Sequence, residues 1–84
     1  MSSLVVTIMY IIECFADRAE DVKPEAMLKA DLGLDDLDMV ELVMSLEDSL
    51  NIELHDELIE EVSTVTDLIL EIEKTIKRRL DEDS

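Results

Sequence analysis

The sequence predicts an all-α protein: an up-and-down four-helix bundle, three longer helices and one short one, around an aliphatic core. Three observations lead there. Apolar residues recur at three- and four-residue spacing in successive segments, the period of a helix face. A single glycine, Gly33, and a single proline, Pro24, leave almost no turn material for hairpins, which need positive φ or a preset φ. Apolar residues make up 48% and aromatic residues only 2%, so Leu, Ile, Val and Met must fill the interior. The 84 residues suffice for one core and no second, and residues 1–84 are read as a single domain.

The first helix follows from Leu4, Val5, Ile8, Ile11, Ile12 and Phe15, which share one face. Val6, Met9 and Tyr10 widen that face, so it either packs under the next loop or meets another surface. The run from Leu4 to Ile12 is too short for a membrane span and no basic residue precedes it, so it reads as a buried helix and not a leader. Cys14 falls within the apolar pattern and is expected to be buried. Asp17 to Lys29 mixes charges around Pro24 and reads as a long connection, with Ala26, Met27, Leu28 and Leu32 tucked onto the core. Gly33 gives a flexible point before the second helix.

That helix should run from about Asp36 to Leu50, with Leu37, Val40, Leu42, Val43, Leu46 and Leu50 as its apolar positions. Either Asp35 or Asp36 can cap its free N–H groups, and Asp38 and Glu41 suit the positive end of its dipole. Asp56 to Val62 reads as a short helix of about two turns. Ser63 or Thr64 can cap the last helix, which carries Val65, Leu68, Ile69, Ile72, Ile76 and Leu80, and the tail from Asp81 to Ser84 is expected to fray.

Charge narrows the function. With 23 acidic and 7 basic side chains the net charge is −16, which repels phosphate backbones and anionic lipid, so neither nucleic acid nor membrane is an expected partner. No Lys or Arg occurs between Lys29 and Lys74, whereas Lys74, Lys77, Arg78 and Arg79 cluster near the end, where they suit the negative pole of the last helix. The lone Cys14 precludes an internal disulfide and is compatible with a reducing compartment. Cys14 and His55 stand in different environments and do not read as a nucleophile and base. The Asp-rich stretch from Asp31 to Glu41 lacks the alternating ligands and the sixth-position glycine of a calcium loop. No enzyme constellation is evident.

The run Asp31-Leu32-Gly33-Leu34-Asp35-Asp36-Leu37-Asp38-Met39-Val40-Glu41-Leu42-Val43-Met44 resembles the signature of acyl carrier proteins. The resemblance extends through Ser45-Leu46-Glu47-Asp48, Ile52-Glu53-Leu54 and Val62-Ser63-Thr64-Val65, and back to Asp21-Val22, so it covers nearly everything beyond the first helix. It implies a bundle whose core opens to shelter acyl chains. It also implies a carrier of fatty-acid or related thioester synthesis, with a 4′-phosphopantetheine arm on a serine at the start of the second helix and a place in the cytoplasm.

At the position matching that serine this chain has Asp36. A carboxylate attacking the phosphate of coenzyme A could form only an acyl phosphate, a mixed anhydride that water cleaves, so no cofactor is expected on this form. Ser45 and Ser49 lie roughly two to four turns further down the helix and would aim an arm elsewhere. Three readings of Asp36 stand. It caps the helix as well as serine would and adds a charge the dipole favours, it is an engineered block to arm attachment, or it marks a natural carrier-like protein that has lost the arm and kept its docking surface.

For docking, the resemblance implies that the acidic second helix meets Lys/Arg patches on synthases, transferases and the phosphopantetheinyl transferase. It assigns recognition to Asp35, Asp38, Glu41, Glu47 and Asp48, with Met39, Val40 and Met44 as apolar contacts. Exposed ion pairs are worth roughly 0–1 kcal/mol each and salt screens them, so such binding should be fast and salt-sensitive. A monomer is expected. The alternative is a regulatory or scaffold protein that binds one stable partner, or a second copy, through the first helix as well.

Overall fold

A computed structural model describes residues 3–55 and 57–83. Four α-helices follow in order: α1 Ser3–Phe15, α2 Asp36–Leu50, α3 Leu58–Glu61 and α4 Val65–Asp83, with a 3-10 turn at Ala19–Asp21 in the first connection. Among the described residues there is no strand, only one isolated antiparallel bridge between Met27 and Thr64. α1 packs on α2 and α4, and α2 packs on α3.

The core is aliphatic throughout. Ile8 and Ile12 from α1, Met39, Leu42, Val43 and Leu46 from α2, Leu58 from α3, and Val65, Leu68 and Ile72 from α4 are buried together. Among the described residues no polar or charged side chain is buried with them. Truncating one such residue to Ala removes packing worth roughly 2–5 kcal/mol.

α1 turns Ile8 and Ile12 inward and leaves Val6 at 52% and Tyr10 at 66% exposure, while Met9 is half-buried. Cys14 is exposed, against the expectation of a buried thiol. Two residues from Ile12 it lies about 200° around the helix, on the far side from the core.

The first connection is held by backbone bonds to the start of α4. The Leu28 N–H donates to the Ser63 carbonyl at 2.9 Å, the Val65 N–H to that of Ala26 at 3.0 Å and the Thr66 N–H to that of Pro24 at 2.9 Å. Val22, Ala26, Leu28, Leu32 and Leu34 are buried beneath this seam, whereas Met27, expected on the core, is exposed. Gly33 sits at φ +73°, and a Cβ there would lie 2.4 Å from Asp17 Oδ2.

α2 ends at Asn51, in the left-handed region at φ 55° and ψ 51°, which asparagine tolerates better than most residues. α3 is a single turn at Leu58–Glu61, shorter than the two turns expected; the start expected at Asp56 lies outside the described residues. α4 opens on Thr64, whose Oγ1 accepts the Asp67 N–H at 3.1 Å, while Asp67 Oδ2 accepts the N–H groups of Ser63 and Thr64 at 3.0 and 3.2 Å. This reciprocal cap resembles a capping box with aspartate at the third position. α4 remains helical through Asp83, so residues 81–83 continue the helix where fraying was expected, and Leu80 lies exposed beyond the core. Ser84 is outside the described residues.

Candidate docking surface and attachment position on α2

Asp35, the residue before α2, has extended backbone and is its N-cap. Its Oδ1 accepts the Asp38 N–H at 2.8 Å, and Asp38 Oδ2 accepts the Asp35 N–H at 3.2 Å. Of the two candidates it is therefore Asp35 that caps the helix, and the side chain of Asp36 is left for other contacts.

Asp36 projects into solvent with its side chain 88% exposed, and Lys29 Nζ donates to its Oδ1 at 2.8 Å. This hydrogen bond, and then the charge of Lys29, hold the Asp36 carboxyl below the usual carboxylate range. Lys29 also lines a shallow cleft of about 280 Å³ with Met27, Ala30, Ile59, Val62 and Ser63. The position singled out in the sequence is thus an exposed carboxylate paired with a lysine that itself lines this cleft.

The structure separates the eight expected recognition residues. Glu41, Asp48, Val40 and Met44 are exposed on α2. Met39 is 1% exposed and belongs to the core, so it cannot serve as an apolar contact with a partner. Leu37, expected in the core, is instead 65% exposed, beside Val40 and Met44. Positions 37, 40 and 44 fall on one helix stripe, and Glu41 and Asp48 lie next to it at four-residue spacing from Leu37 and Met44. Asp35 and Asp38 are partly committed to the cap. Glu47 is half-buried, and its Oε2 accepts the Leu54 N–H at 3.0 Å, holding the loop after α2.

Chemically this surface offers carboxylates around an apolar stripe. Among the described residues no group of three or more His, Cys, Asp or Glu is arranged to hold a metal ion, and no helix is long and apolar enough to cross a membrane.

Residues 10–79 match the family described as "Phosphopantetheine attachment site". The acyl carrier protein of Wolinella succinogenes is 46% identical to this chain over 63 residues, which span 75% of this chain and 83% of that protein. The acyl carrier protein of Helicobacter hepaticus is 44% identical over 63 residues, with the same two shares. Matched over most of its length, and folded as the all-helical bundle that the resemblance implied, the chain belongs to the acyl carrier protein family.

Proposed function

We propose that this protein is a single-domain acyl-carrier-type protein that, in this form, bears no 4′-phosphopantetheine arm and works by docking to basic patches on carrier-dependent enzymes. The family membership carries the general role of a carrier, not an enzyme. The finer reading rests on one observation: the exposed side chain at the start of α2 is the carboxylate of Asp36, paired with Lys29.

Attachment of the arm requires an oxygen that forms a stable phosphodiester. The first turn of α2, from Asp36 to Met39, contains no hydroxyl. Ser45 and Ser49 lie further along α2. The residues at the site do not fit the group, and the paired carboxylate instead places one negative charge where the phosphodiester of a charged carrier would sit.

Docking is assigned to the stripe of Leu37, Val40 and Met44 flanked by Glu41 and Asp48. Its partners are synthases, transferases and the phosphopantetheinyl transferase, met in the cytoplasm, with the carrier monomeric. Small apolar contacts ringed by charge favour rapid encounter and rapid release. The second reading, a scaffold protein bound stably through α1, is favoured by the exposure of Val6 and Tyr10. A salt-resistant complex or homodimer would select it.

The test is intact mass after incubation with a phosphopantetheinyl transferase and coenzyme A, with Asp36→Ser in parallel. Gain of the arm's mass by the Ser variant alone supports a carrier silenced at one residue. Gain by neither places the chain in a docking or regulatory role, and gain by the unaltered chain refutes the reading of Asp36.

A further inference from the structure

At the opposite end of α2 from Asp36, the segment leaving the helix and the C-terminal half of α4 enclose an open cleft of about 470 Å³. Asn51, Ile52, Glu53 and His55 line it from the segment, and Arg78 and Arg79 from α4. Such a volume is in the range of small-molecule sites. The chain carries only seven Lys and Arg against 23 acidic residues, yet two of the seven meet in this one cleft, with Lys74 and Lys77 on the same half of α4.

One structural role accounts for part of the cluster. The helix dipole expected to hold it does not, because α4 runs on to Asp83 and has no basic residue in its last turn. Arg79 Nη1 donates to the carbonyl of Asn51, tying the left-handed end of α2 to α4. That bond uses one of the five N–H donors of a guanidinium and fixes where the remainder stand. That bond does not use Arg78, whose side chain is exposed and makes no hydrogen bond or ion pair among the described residues. The imidazole of His55 is exposed at the same cleft, and Ile52 supplies an apolar wall. The single carboxylate in the lining, Glu53, is outnumbered by the two guanidiniums.

We infer that this cleft is a binding site for a small phosphate-bearing molecule, gripped by Arg78 and Arg79. Planar guanidiniums present paired donors that match phosphate oxygens, which a scattering of lysines does not. The −16 charge of the whole chain does not contradict this. A nucleic-acid backbone would have to lie along the acidic helices, whereas one phosphate group needs only the cleft, and salt shields it from carboxylates beyond about 10 Å. The same surrounding charge keeps the affinity modest and selects small ligands over polyanions.

The inference stands apart from the reading of Asp36, since it uses none of the same residues. It is tested by following backbone amide shifts of the full chain during titration with inorganic phosphate, the ionic strength held constant with sodium chloride. Saturable shifts confined to residues 51–55 and 75–79 are expected, with a dissociation constant in the millimolar range. Arg78→Gln should weaken binding at least about tenfold, with Arg78→Lys recovering only part of the loss. Glu53→Gln should tighten it. Arg78 is exposed and unbonded, so these variants keep the fold, which the helical circular dichroism signal verifies. Unsaturable shifts, shifts spread over α1, or equal binding by Arg78→Gln would show simple ionic screening and overturn the site.

Discussion

The carboxylate of Asp35 accepts the Asp38 N–H at 2.8 Å while that of Asp38 accepts the Asp35 N–H at 3.2 Å, so two acidic residues of like charge close the start of α2 on each other. Each satisfies a helix-end donor, and both sit at the positive end of the dipole. Asp35→Ala should therefore destabilise the bundle by about 1 kcal/mol, lowering the unfolding midpoint by about 4–8 °C for a domain of this size. Thermal unfolding followed by circular dichroism reads this directly. An unchanged midpoint would remove the cap from the account.

Asp36→Ser should behave differently. Asp36 makes no cap, and its bond to Lys29 joins side chains 88% and 55% exposed. The unfolding midpoint should move by no more than about 3 °C. A fall of ten degrees or more would show that Asp36, and not Asp35, holds the helix start.

Gly33→Ala is expected to destabilise by about 1–2 kcal/mol, because φ is +73° and a side chain disfavours that region. The added methyl would also meet Asp17 Oδ2 at 2.4 Å, but Asp17 is an exposed side chain that can swing away. Adding Asp17→Ala to Gly33→Ala should thus restore only a minor part of the loss in a urea titration. Full restoration would assign the cost to the clash and not to the backbone.

Glu47 separates structure from recognition. Glu47→Ala leaves the Leu54 N–H without its acceptor and should cost about 1–3 kcal/mol, whereas Glu47→Gln keeps an oxygen there and should cost much less. Equal loss in both variants would mean that charge, not the hydrogen bond, matters at this position. Docking is accordingly better probed with Glu41→Lys and Asp48→Lys, whose side chains are exposed and should weaken partner binding without unfolding the bundle.

Asp67 gives the bundle an acid-sensitive clasp. The N–H groups of Ser63 and then Thr64 hold its carboxyl below the usual carboxylate range. In the window between its ordinary value and this lowered one, the unfolded chain binds a proton that the native state does not, so stability rises with pH there. Its contribution is complete above about pH 4 and is lost as pH falls through the lowered folded value. Asp67→Asn should flatten the acid limb of a stability-versus-pH profile below about pH 4, and an unaltered limb would refute the assignment.

Much of this fold is legible in the sequence because spacing and caps agree. The bounds of α2 follow from Asp35, Asp36 and the period ending at Leu50, and the start of α4 follows from the cap offered by Ser63 or Thr64. The facing of α2 is another matter. Residues 37, 39, 40, 42, 43, 44 and 46 are all apolar, so the pattern runs nearly around the helix and fixes no phase. Its phase comes from packing on α1 and α3, which turns Met39 inward and Leu37 outward. The exposure of Cys14 was within reach, since Ile8 and Ile12 already fix the phase of α1. The bonds of Glu47 to Leu54 and of Arg79 to Asn51 were not, because the first depends on how the loop after α2 folds back on the helix and the second joins residues 28 positions apart that only the tertiary fold brings together.

The seam between the first connection and α4 bears on the order in which the chain can fold. The Thr66 hydroxyl donates to the Pro24 carbonyl 42 positions away, and the Leu28 N–H and Ala26 carbonyl likewise find their partners only at Ser63 and Val65. During synthesis α1 and α2 emerge before those partners exist, so the connection cannot close until residues 63–66 have been made and the entropy of a long loop has been overcome. Once closed, the Leu28 amide, though outside any helix, should exchange its hydrogen as slowly as the amides in the first turns of α4. The two segments would then open together, as one cooperative unit.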